Sequence, residues 1–258
     1  MSTRALLTAA SLGLALLGSA PFTMAADPPA AGPPAAHPKG HYADLNRLPD
    51  WGGVWTFNFM PTPGVTRESP ELKGKYLESY QAWQKTAATH NGEVPRNGSY
   101  CRPPGMPGIM TVGQYPIEFL FTPGRVTLHF EAWMQLRSIW TDGRTHPDDW
   151  DPTFYGHSTG HWDGSTLVVD TVGIKDITEL RPGAPHSPQL HLTEHIHLAK
   201  GDPDTLVDEL VAEDPEALAK PWHSVLTYKR ARDQDLLEFV CAENDRNPVD
   251  AAGHTGLE

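Results

Sequence analysis

The segment Arg137–Thr171, RSIWTDGRTHPDDWDPTFYGHSTGHWDGSTLVVDT, gathers arginines, imidazoles and carboxylates onto turns and short strands. Histidine can move a proton near neutral pH, arginine offers a rigid fork for an anionic oxygen, and a carboxylate can orient an imidazole. The most specific expectation comes from the hairpin around Asp163-Gly164. A two-residue turn there sets His157 opposite Asp170, with His161 on the same face, and Asp170 then fixes the tautomer of a general base. A three-residue loop opposes His157 with Thr171 instead and dissolves the couple. The competing reading is a solvent-facing polar stripe with Trp162 in the core.

Upstream, Thr141-Asp142-Gly143-Arg144-Thr145-His146-Pro147 reads as a strand end, a turn and a rigid exit. Asp142 and Gly143 suit a turn by themselves, and Arg144 can pair with Asp142, Asp148 or Asp149. A turn requires neither the guanidinium of Arg144 nor the imidazole of His146. Downstream, Leu190, Leu192, Ile196 and Leu198 define an apolar face with Glu194 at its centre. A carboxylate pointing inward is either paired with an arginine such as Arg137 or tuned as a general acid or base. The other face carries His191, His195 and His197; without an accompanying carboxylate or thiolate they read as a polar stripe rather than a metal site. No nucleophile elbow, phosphate loop, dinucleotide fingerprint, CxxC pair or HExxH is present.

These groups need a scaffold, and turn signals recurring at strand-length intervals supply one. Strands are expected at Val54–Phe59, Ile117–Phe121, Arg125–Glu131, Met134–Thr141, Tyr155–Trp162, Thr166–Val172, Leu190–Leu198, Thr205–Ala212, Ser224–Arg230 and Leu236–Cys241. Gly53-Val54-Trp55 resembles the entrance of lipocalin-type barrels. With short loops and no helical crossovers, the pattern predicts a mainly β fold, a single antiparallel up-and-down barrel of calycin type with a mouth for one small ligand. One N-terminal amphipathic helix is predicted over Ser69–His90, capped by Ser69-Pro70, with Leu72, Tyr76, Tyr80, Trp83 and Ala87 on one side and Asn91-Gly92 as its stop.

Residues 1–26 read as an export signal, 27–41 as a proline- and alanine-rich disordered linker, and 42–258 as a single domain. A periplasmic location follows, with no membrane association after cleavage. The net charge of −12 repels phosphate backbones and argues against nucleic-acid binding. The two cysteines, Cys101 and Cys241, meet an oxidising compartment, where they either pair or remain as separate thiols.

The segments CRPPGMPGIM, YPIEFLFTPGRVTL, RSIWTDGRTHP, PTFYGHSTGHWDGSTLVVDTVG, PHSPQLHLTEH, AEDP, KPW and EFVCAEN resemble a large family of exported bacterial proteins. Its TDGR-HP and GHS-GHW-G-TLVVDT blocks are the specific part. Arg137, Asp142, Arg144, His146, His157, Trp162, Asp170, His186, Glu194 and Trp222 fall on pattern positions, while His195 stands where the pattern has arginine. Cys101 and Cys241 also fall on the pattern, which favours their pairing. Some members are similar to lyases that open lignin-derived phenylcoumaran dimers and release formaldehyde.

The resemblance and the residues together imply a cofactor-independent acid/base lyase acting on a small aromatic or apolar molecule. His157 is then the base, Asp170 its orienting group, Glu194 or His146 the acid, and Arg144 with Arg137 the clamp for an anionic oxygen. Trp140, Asp142, Tyr155, His161, Trp162, His186 and Trp222 are the expected substrate-binding residues. No cofactor or metal is expected, and a homodimer is left open. The rival readings are a lipocalin-like binding protein using the same pocket and a metal-dependent hydrolase or oxygenase.

Overall fold

Nine strands close into a barrel in the computed structural model, which describes residues 39–60, 68–90, 94, 96 and 100–241. The strands are β1 (Val54–Phe57), β2 (Ile117–Thr122), β3 (Arg125–Phe130), β4 (Gln135–Trp140), β5 (His157–Asp163), β6 (Thr166–Val172), β9 (His191–Ala199), β10 (Asp202–Glu213) and β11 (Trp222–Ala231). Between β6 and β9 the chain leaves the barrel to form a two-stranded ribbon, β7 (Glu179–Arg181) and β8 (Ala184–Pro185). Around the ring the order is β1-β11-β10-β9-β6-β5-β4-β3-β2. The expected β-barrel is therefore present. All described residues fall within one compact unit, His37–Glu258. The segment 1–26, most of the 27–41 linker and the Asn91-Gly92 helix stop lie outside the described residues.

Strict up-and-down alternation is not achieved, for a reason of parity. A closed ring with an odd number of strands cannot alternate direction at every step, so at least one neighbouring pair must be parallel. That pair is β4–β5, with Ile139 beside Ser158 and Trp140 beside Thr159, and every other neighbouring pair is antiparallel. The chain must then travel back along the barrel between Trp140 and His157 before β5 can begin. Thr153 bonds to Gly173 and Lys175 and tethers this return connection to the segment after β6.

Alternation decides what faces inward. Leu192, Glu194 and Ile196 of β9, and Leu206, Asp208 and Leu210 of β10, are all buried. At one end Trp51 packs against Phe119, Phe121 and Trp162 at ring separations of 5.2–5.8 Å. At the other, Tyr228 donates its hydroxyl proton to the Met110 carbonyl at 2.8 Å. Burial of each such large side chain contributes roughly 1.5–3 kcal/mol. Apolar side chains, the Arg137–Glu194 ion pair and a few buried polar groups such as Asp208 thus occupy the interior, and the two largest described clefts, about 520 and 410 Å³, open on the outer surface.

Two expected elements differ. The helix, α1, spans Gly74–Thr89 rather than Ser69–His90, with Lys73 at its N-cap. The Ser69 hydroxyl accepts a hydrogen bond from Arg181 at 2.6 Å instead of capping, and Leu72 forms a bridge with Leu218. Tyr76 and Tyr80 pack on the core from outside, and Trp83 lies over Gly183, where a Cβ would fall 2.1 Å from the indole. Leu236–Cys241 is not a strand. Phe239 packs on Tyr115 and Trp133, and the segment ends at a disulfide between Cys241 and Cys101, whose Cα atoms are 5.6 Å apart.

Candidate functional site

The β5–β6 turn sets the register from which the site is built. Asp163 pairs with Thr166, so the two-residue loop is Gly164-Ser165, with Gly164 at a φ of +59° that suits glycine. This slides the ladder two residues from the expected pairing, and His157 opposes Val172 while Asp170 opposes Thr159. The direct His157–Asp170 couple is thereby corrected. A shift of two residues preserves faces, however, so His157 and Asp170 remain on the same outer surface.

His146 fills the gap between them. The return connection lays it across β5 and β6, with Nε2 2.6 Å from Asp170 Oδ1 and Nδ1 2.8 Å from His157 Nδ1. Thr159 Oγ1 lies 3.3 Å from the same Nε2. On the other side of Asp170, Oδ2 lies 2.5 Å from His191 Nε2 at the start of β9. Asp170 thus sits between two imidazoles, and the second of them was not among the expected catalytic residues. His191 faces Glu213 across the β9–β10 ladder, with Nδ1 3.6 Å from Glu213 Oε2.

The carboxylate dictates the proton positions. Asp170 can only accept, so the nitrogens facing it, Nε2 of His146 and Nε2 of His191, carry protons. With its Nε2–H on Asp170, His146 has Nδ1 placed to accept from Nδ1–H of His157, which leaves His157 Nε2 as a base. Burial holds the His157 pKa below the ordinary histidine value, and the neighbouring His146 and Arg144 push it the same way. His157 is accordingly neutral at neutral pH. Trp150 covers it at a ring separation of 4.7 Å, and Gly156 precedes it at a φ of +67° where a Cβ would meet the Val172 carbonyl at 2.4 Å.

Arg137 and Glu194 are brought together, but on the opposite face of the same wall. Arg137 NH1 donates to Glu194 Oε1 at 2.9 Å, NH2 donates to Oε2, and NH2 also reaches Thr171 Oγ1 at 3.0 Å. The two side chains are 1% and 0% exposed. This is the buried structural pair, separated by the sheet from Asp170 and its histidines. Asp208 lies nearby with both carboxyl oxygens buried and without a hydrogen bond. Burial drives its pKa well above the usual carboxylate range, Glu194 adds to the rise and Arg137 opposes it.

The remaining expected residues are dispersed. Arg144 forms a two-point ion pair with Asp142 at 2.9 and 2.6 Å and stacks 3.7 Å over Trp140. Tyr155 stacks on Phe130, and Trp162 belongs to the aromatic end of the barrel. His161 is exposed on the outer face. His186 is buried at 2% exposure, bonded to Thr178 and to the Ser187 carbonyl, and burial lowers its pKa. Trp222 donates to the Glu68 carbonyl at 2.9 Å. None of these lines a common cavity with His157 among the described clefts.

Among the described residues, no group of three or more histidine, cysteine or acidic side chains is arranged to hold a metal ion. His191 engages Asp170, His197 approaches Glu209 at 3.8 Å, and His195 is exposed. No family model matches the chain, and no curated protein or solved structure matches it.

Proposed function

We propose that this protein is a cofactor-independent acid/base enzyme of the lyase class, exported to the periplasm, acting on a small aromatic molecule of the lignin-derived dimer type. The observation that carries the proposal is the continuous chain of hydrogen bonds His157–His146–Asp170–His191 on the outer wall. Holding the return connection on the barrel would require only hydroxyls or amides. Titratable groups hydrogen-bonded in series, with the pKa of one imidazole held low, are what proton transfer requires. In such a relay an imidazole takes a proton from a substrate hydroxyl, and the relay returns it to the departing oxygen as a carbon–oxygen or carbon–carbon bond breaks. Asp170 orients both neighbouring rings and opposes the charge that forms on them. Glu194 and Arg137, facing the interior, take no part.

The test is incubation of purified protein with phenylcoumarans and other lignin-type dimers, followed by mass spectrometry for a mass loss and a formaldehyde assay. Turnover in the wild type and a loss of about 10²- to 10⁴-fold in Asp170→Asn is expected, the usual range for acid/base assistance. A carrier would bind such compounds without product, and Asp170→Asn would change nothing but affinity.

A further inference from the structure

The relay has two ends, and they differ in access. His157 lies under Trp150 at 5% exposure. His191, with its side chain 35% exposed, lines a cleft of about 520 Å³ between the start of β9 and the loop after β10. We infer that His191 is the relay's substrate-facing base and that this cleft takes a phenol or a similarly acidic aromatic alcohol. The inference rests on the acid/base reading above and names the site where that chemistry meets its substrate.

The cleft is built rather than incidental. Asp214, 3% exposed, accepts hydrogen bonds from the Ser187 amide and hydroxyl and from the Glu216 and Ala217 amides at 2.6–3.0 Å. These bonds fix the loop that carries Pro215 and Leu218, two of the cleft's apolar walls. Lys73 joins the wall, its backbone amide donating to the Ala217 carbonyl at 2.9 Å. Apolar walls of proline and leucine suit an aromatic ring.

The orientation of His191 fits a base. Nε2–H is directed to Asp170, which does not line the cleft, so Nδ1, on the side of Glu213, which does, is the nitrogen placed to take a proton. The step is a single proton transfer: the phenol O–H bond breaks, Nδ1 takes the proton, and the electron pair stays on the phenolate oxygen. The resulting positive charge lies between Asp170 and Glu213.

The probe is 4-nitrophenol, whose anion absorbs visible light, added to the full-length protein in mildly acidic buffer. The wild type should bind it and raise the ionised fraction above that in buffer alone. His191→Ala, which removes the base, and Ala219→Trp, which fills the cleft, should each weaken the signal at least tenfold. His195→Ala, on the exposed face beside the site, should retain it. An unchanged signal in both His191→Ala and Ala219→Trp overturns the inference. Turnover of aromatic dimers at the wild-type rate by His191→Ala also overturns it while leaving the lyase reading standing. Ionisation of nitrophenol at His191 with no turnover of any dimer supports the cleft and removes the lyase reading.

Discussion

Replacing Arg137 with methionine tests the barrel's interior electrostatics. The substitution keeps the unbranched bulk but deletes the only cation that Glu194, 0% exposed, is bonded to in the described structure. It also deletes the donors to Ser158 and Thr171. Breaking one side of a buried pair costs about 3–5 kcal/mol, because the charge left behind has neither water nor a partner. For a domain of this size, that corresponds to a fall in Tm of roughly 6–20 °C. Glu194 would have to take up a proton to stay buried, and proton uptake is easier at low pH. The defect should therefore shrink as pH falls toward the carboxylate range. Adding Glu194→Leu removes the orphaned charge and should recover most of the loss. Urea unfolding followed by tryptophan fluorescence measures all three proteins. An Arg137→Met variant within about 1 kcal/mol of the wild type at neutral pH, or a double variant no better than the single, would refute the reasoning.

Asp208 makes a complementary prediction. Its folded-state pKa is raised by burial first and by Glu194 second, so its contribution is fully present below the unfolded carboxylate value and is lost as pH rises through the raised one. Asp208→Asn should flatten the fall in stability as pH rises from the unfolded carboxylate range toward the raised value, and urea midpoints across pH that match the wild type would contradict this. The Cys101–Cys241 bond closes a sequence separation of 140 residues, and its reduction should lower stability by roughly 2–4 kcal/mol, read from unfolding with and without reductant.

Nine of the ten strands are readable from alternation because each has one face in the core and one toward solvent. Leu236–Cys241 has a similar pattern but is drawn away by the Phe239 contacts and the disulfide, which local periodicity does not encode. The β7–β8 ribbon is too short to show a period. In the site, the shared face of His157 and Asp170 is legible, and the exact register is not, because Asp163-Gly164 and Gly164-Ser165 both make acceptable two-residue turns. His146 stands out as an imidazole that a turn does not need, but its position between the two follows from the parallel β4–β5 junction and the return connection it requires. The role of His191 depends on β9 pairing with β6 across the intervening ribbon, a long-range contact with no local signal. Glu194 and Arg137 show that an inward carboxylate with an arginine available is first a matter of neutralising buried charge.

The most direct measurement of the relay is nitrogen-15 NMR of the histidine rings, in the wild type and in Asp170→Asn. Near neutral pH, His146 and His191 should carry their protons on Nε2, facing Asp170, and His157 should be neutral with its proton on Nδ1. Asp170→Asn should disturb His146 and His191 together, since both donate to the same carboxylate. A His157 ring protonated on Nε2 near neutral pH, or histidine resonances unmoved by Asp170→Asn, would contradict a proton relay on this wall.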